Sequence, residues 1–123
     1  LGVASSSPLE LIEHSLRLAG LRTYFQAVMS SDEVAVGKPA PDVYLEACRR
    51  LGTEPARAVA IEDSSSGLRA AAAAGLALIA IPNMAYPPAP DSLALADVVM
   101  GSVGDGTGDI ISALRTEETG HGR

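Results

Sequence analysis

Four consecutive apolar residues, Ala58-Val59-Ala60-Ile61, stop abruptly at two adjacent carboxylates, Glu62-Asp63, and Ser64-Ser65-Ser66-Gly67 then opens an alanine-rich run that closes at Gly75. An uninterrupted apolar strand fits burial on both faces, as in a parallel sheet covered by helices. The same strand, turn and helix order recurs along the chain. The apolar run 1–4 ends at Ser5-Ser6-Ser7, and Leu9, Ile12, Leu16 and Ala19 then follow a helical period. Ser7 and Glu10 have capping-box spacing, Pro8 suits the first helical position and Gly20 the stop. Ala27-Val28-Met29 reads as a second strand. In the segment 36–41, Pro39 and Pro41 predict an extended, stiff connection into a helix over 41–51, whose apolar face carries Val43, Tyr44, Ala47, Cys48 and Leu51. Residues 76–81 form another buried strand, 98–100 a last short one and 110–114 part of a final helix, with 117–123 as a frayed tail. Strands alternating with helices imply one α/β domain, a doubly wound parallel sheet with right-handed crossovers. Ligands of such sheets sit beyond the carboxyl ends of the strands.

Composition narrows the function classes. The chain has 123 residues, 47% of them hydrophobic and only 3% aromatic, so the core must be built from Ala, Val, Leu and Ile. A net charge of −6 with scattered bases argues against nucleic acid as a partner, while a phosphorylated small molecule needs only a local positive site. The longest apolar stretch, 70–82, falls short of the roughly 18 residues of a membrane span. Cys48 is the sole cysteine and no Cys/His cluster exists, which excludes an internal disulfide and a zinc site and fits a reducing, cytoplasmic compartment. The chain starts at Leu1 in a strand-like run, without a methionine, as expected of a piece of something longer.

The polar residues at the strand ends carry the chemistry. Glu62 and Asp63 repel each other unless something compensates, and a hard divalent cation such as Mg²⁺ is the usual oxygen-ligated answer. The alternative is that Asp63 or a serine simply caps the following helix. Lys38, the only lysine, lies between Gly37 and Pro39 before a helix, placed to neutralise a phosphoryl oxygen or else solvated at the surface. Ser5, Ser6 and Ser7 bring hydroxyls and amides together where a phosphate could bind, although Ser7 is also explained as a helix cap. His14 and His121 read as surface residues and Cys48 as core. No G-x-G-x-x-G follows an early strand, which weakens a dinucleotide-binding reading.

Taken in order, LGVASSSP, VGKPAPDVYLEACRRLG and AVAIEDSSSGLRAAAAAGLALIAIPN, spanning residue 1 to about residue 83, resemble the haloacid dehalogenase-like (HAD) hydrolase superfamily in its β-phosphoglucomutase and phosphoglycolate phosphatase-like branch. The resemblance implies a Rossmann-like core with Ser5 as the strand-end serine that binds the transferring phosphate. It makes Lys38 the lysine that balances phosphoryl charge, Glu62 and Asp63 the acidic Mg²⁺ motif with Asp63 as the first choice of direct ligand, and Ser6 and Ser7 further substrate contacts. The family's D-x-D-G-[ST] motif, whose first Asp is the nucleophile, is missing; Gly104-Asp105-Gly106-Thr107 lacks the leading Asp and reads as a turn. By that resemblance, residues 1–116 are the C-terminal portion of a core domain without its first central strand and cap, and the lost strand lies between those ending at Ser5 and Ile61. Two unpaired edges are then expected at the sheet's centre, along with a need for the missing N-terminal segment. The implied activity is Mg²⁺-dependent phosphatase chemistry on small phosphorylated metabolites in the intact protein, the isolated chain being inactive. Phosphomutase chemistry and a non-catalytic remnant serving as an interaction module are the alternatives.

Overall fold

The structure, a computed structural model, describes residues 1–102, 104 and 108–114. Five short strands alternate with helices as the apolar periodicity requires. They are β1 (Gly2–Ser5), β2 (Ala27–Ser30), β3 (Val59–Glu62), β4 (Ala77–Ala80) and β5 (Val98–Val99). The α-helices are α1 (Leu9–Leu18), α2 (Asp42–Leu51), α3 (Ser65–Ala74) and the short α4 (Pro90–Leu93), and a last helical segment covers 108–114. Gly20, Gly52 and Gly75 follow the three longer helices with positive φ, the left-handed backbone that lets a helix stop within one residue. Gly104 alone of the segment 104–107, and none of 117–123 with His121, falls within the described residues. No helix among the described residues is long and apolar enough to cross a membrane.

All the pairing is parallel, but it forms two sheets: β1 with β2, and β3, β4 and β5 in that order. No ladder joins β1 to β3 among the described residues, and the interruption falls where the family resemblance places a missing strand. Helix α2 packs on β1, β2 and α3, and α3 packs on β3 and β4, so the helices hold the two sheets together. Met29, Val43, Leu68, Leu78 and Ile79 are fully buried, and the small faces of Ala70 and Ala71 let α3 lie close beneath the strands. A cavity of about 880 Å³ opens where the sheets part, lined by β1, β3 and the apolar side chains of Ala47, Cys48 and Leu51.

Three local expectations are corrected. Strand β3 alternates rather than being buried on both faces: Ala60 and Glu62 are buried, whereas Ile61 is 43% exposed and lines the open cavity. Helix α1 starts at Leu9 with Pro8 as its unassisted cap, so Ser7 does not cap it. Ser5 Oγ instead accepts the Ser7 N–H at 3.1 Å, a local turn that competes with a helical start at Ser7. The segment at Lys38 is not extended. Its Lys38–Pro39 peptide is cis, and the Ala40 N–H donates to the Gly37 carbonyl at 3.1 Å, closing a tight four-residue turn that delivers Lys38 inward.

Candidate functional site

The carboxyl ends of β1 and β3 face the same opening, and the residues singled out from the sequence gather there. Ser5 ends β1, and beyond it Ser6 is exposed while the Ser7 carbonyl accepts the Ser30 hydroxyl at 2.6 Å, pinning the serine turn to the end of β2. Ser30 is fully buried and forms a capping box with Glu33. Its role was legible in principle, because Ser30 and Glu33 have the S-x-x-E spacing.

Lys38 spans the interruption between the sheets. Its ammonium donates to the Ala4 carbonyl of β1 at 3.2 Å and to Glu62 Oε1 of β3 at 2.6 Å, with 9% of the side chain exposed. An ammonium has three N–H donors, so one remains for a further acceptor. The ion pair with Glu62 is shielded from solvent on both sides, where loss of either partner strands a charge. The surface-lysine alternative is thereby excluded.

Glu62 is held from three directions. Oε1 accepts from Lys38 and also from the Tyr44 hydroxyl of α2, and the carboxylate lies against Gly67 in the first turn of α3, where any β-carbon would collide with it. The positive end of α3 favours that anion. Burial first, then the Glu62 charge and hydrogen bond and the more distant Asp63, push the Tyr44 phenol far above its ordinary range, so it stays protonated as a donor. The ammonium also lies 5.3 Å from the centre of the Tyr44 ring, within cation–π reach. Tyr44 counted only as an apolar-face residue in the sequence; its polar tip was the overlooked signal.

Asp63, the next residue beyond β3, lines the same cavity. It is exposed, and its carboxylate makes no hydrogen bond or ion pair among the described residues. The cap of α3 is Ser64, whose Oγ accepts the Gly67 N–H at 3.2 Å, so Asp63 is not used in capping. As an unpaired oxygen donor it suits a hard cation such as Mg²⁺, whereas Glu62 Oε1 is already committed. The described residues contain no cluster of three or more His, Cys, Asp or Glu side chains, so Asp63 would supply only part of an octahedral shell. Cys48 is buried with its thiol pushed up by burial, and His14 is exposed on α1.

Comparison with known proteins follows the same lines. Residues 1–75 match the family model described as haloacid dehalogenase-like hydrolase. Hexitol phosphatase B of Escherichia coli (strain K12) is 37% identical over 107 residues, covering 83% of this chain and 46% of the relative. Among solved structures, CbbY from Rhodobacter sphaeroides in complex with xylulose-(1,5)bisphosphate superposes with a TM-score of 0.77 at 38% identity, covering 87% of this chain and 48% of that one. A β-phosphoglucomutase-like structure from Thermotoga maritima gives 0.73 at 31% identity, with coverage of 81% and 47%. The chain spans about half the length of the relatives it matches.

Proposed function

Because the chain belongs to the haloacid dehalogenase-like hydrolase family, in its β-phosphoglucomutase and phosphoglycolate phosphatase-like branch, we propose that it forms the C-terminal portion of the core of a Mg²⁺-dependent phosphatase acting on small phosphorylated sugars. The observation that carries this reading is Lys38, which reaches across the divided sheet to Ala4 and Glu62 with one donor to spare beside the serine turn. That donor binds a phosphoryl oxygen, and the Ser5 to Ser7 turn contributes its hydroxyls and the Ser6 amide to the same group. Asp63 would hold Mg²⁺, which would supply neutralisation of charge on the phosphoryl oxygens.

The attacking carboxylate comes from a strand outside this sequence, seated in the cavity between β1 and β3 and hydrogen-bonded to both edges. Attack at phosphorus breaks the ester bond to the sugar oxygen, which takes a proton from the second Asp of the D-x-D-G-[ST] motif, and water, giving a proton back to that Asp, then cleaves the aspartyl-phosphate to inorganic phosphate. The Lys38 charge matters most while the phosphoryl group is in transit, since electrostatic stabilisation is most effective where charge develops. Hydrolysis is preferred to mutase chemistry, since 5–9 offer no Asn or Lys to hold a second phosphate or a sugar ring. Residues 1–116 make up the domain portion and the working compartment is the cytoplasm.

Beryllium fluoride, an aspartyl-phosphate mimic, tests the reaction class without knowledge of the substrate. In ¹⁹F NMR the intact protein with Mg²⁺ is expected to show a bound signal that Lys38→Ala abolishes. Absence of any bound signal would refute the phosphatase reading. The open cavity supports a second reading, in which the chain is a non-catalytic module that captures an extended segment. Sugar phosphate turnover by the intact protein would exclude it.

A further inference from the structure

The Lys38 ammonium owes its place to Glu62, and Glu62 in turn is fixed by a residue that touches neither phosphate nor metal. We propose that Tyr44 is a positioning residue for Lys38, its hydroxyl locking the Glu62 carboxylate and its ring supporting the ammonium from beneath. The catalytic value of this role rests on the phosphatase reading; the positioning itself does not.

The geometry leaves Glu62 little choice of partner. Both Lys38 and Tyr44 donate to the same oxygen, Oε1, so rotation of the carboxylate breaks both bonds together. On the opposite side the backbone of Gly67 closes the pocket. Tyr44 rises from α2, whose buried face also carries Val43, Ala47 and Cys48, so the hydroxyl is aimed by the packing of a whole helix. Without it, Lys38 is the one hydrogen-bond donor left to Glu62 among the described residues, and the ammonium keeps only Glu62 and the Ala4 carbonyl as acceptors. A flexible four-carbon stem then has more conformations open to it, and less of its population presents the third N–H to the site.

The test reads the lysine directly. Competitive acylation with acetic anhydride, resolved by peptide mass spectrometry, reports how freely Lys38 leaves its pocket, with an added free lysine peptide as internal reference. The measurement is made on the intact protein, for wild type, Tyr44→Phe, Glu62→Gln and the double variant. Tyr44→Phe keeps the ring and removes only the hydroxyl. Acylation of Lys38 is expected to rise about fivefold or more in Tyr44→Phe and further in Glu62→Gln. The double variant should match Glu62→Gln, because residues acting through one another are not additive. A rate within twofold of wild type in Tyr44→Phe, or independent multiplicative effects, would overturn the proposal. A variant that failed to fold would acylate Lys38 at its rate in urea; Glu62→Gln alone then decides, and unchanged acylation there overturns the chain of contacts at its first link. In the intact protein Tyr44→Phe should lower kcat about tenfold with KM nearly unchanged. If acylation changes while beryllium fluoride fails to bind, the positioning stands and the phosphatase reading falls.

Discussion

Gly67→Ala offers a test in which two magnitudes of opposite sign compete. Gly67 lies inside α3 and has no positive φ, so alanine meets no backbone objection there. Helix propensity alone predicts a gain of about 0.8–1.0 kcal/mol. The new methyl group, however, would overlap both carboxylate oxygens of Glu62. Glu62 must swing away and lose its bonds from Lys38 and Tyr44. Hydrogen bonds to charged groups contribute about 1.5–3 kcal/mol each, so losing two outweighs the propensity gain and leaves a net destabilisation of roughly 2–5 kcal/mol. Urea unfolding of the intact protein followed by circular dichroism measures the difference. In a Glu62→Ala background the obstacle is gone, and the same substitution should become stabilising by about 1 kcal/mol. A Gly67→Ala protein as stable as wild type would show that Glu62 is not locked in place.

Three further outcomes are expected. Lys38→Ala in the intact protein should lower turnover by about 10² to 10³ with a much smaller change in KM, the usual result of removing a preorganised electrostatic partner; steady-state kinetics within a few-fold of wild type would contradict it. Asp63→Asn should raise the Mg²⁺ concentration needed for half-maximal activity, with a smaller shift for Glu62→Gln, and unchanged metal titrations for both would remove Asp63 from the metal site. Tyr44 gives a pH signature in metal-free buffer. Its phenol is held protonated in the folded state but ionises near pH 10 when unfolded, so its contribution is complete below about pH 10 and is lost above it, at up to about 1.4 kcal/mol per pH unit. Tyr44→Phe should flatten that part of the stability profile between about pH 9 and pH 11, and parallel profiles would refute the assignment.

Strand-end chemistry was the most legible part of the sequence. Apolar runs that stop at Ser5 and Glu62 mark the ends of parallel strands, and parallel sheets place ligands at those ends, so both sets of residues had to converge. The boundaries of β1, β3 and β4 shifted by only a residue or two, because a four-residue apolar run leaves little freedom. What stayed hidden depends on partners distant in sequence. Tyr44 is 18 residues from Glu62, and nothing local separates a tyrosine whose hydroxyl reaches a carboxylate from one that merely fills space. The difference between buried Glu62 and exposed Asp63 likewise required the fold, because only packing shows which of two adjacent carboxylates meets Lys38 and Tyr44. The segment at Lys38 departs from the extended expectation because prolines restrict backbone angles only locally, whereas the turn is closed by a bond between Ala40 and Gly37.

The most direct test is release of inorganic phosphate from a panel of sugar phosphates, measured with and without Mg²⁺ for the intact protein and for the isolated 123-residue chain. Mg²⁺-dependent turnover by the intact protein is expected, and none by the chain alone, which holds Ser5, Lys38, Glu62 and Asp63 but no D-x-D-G-[ST] nucleophile. Turnover by the isolated chain, or none by the intact protein on any of the phosphates, would contradict the assignment.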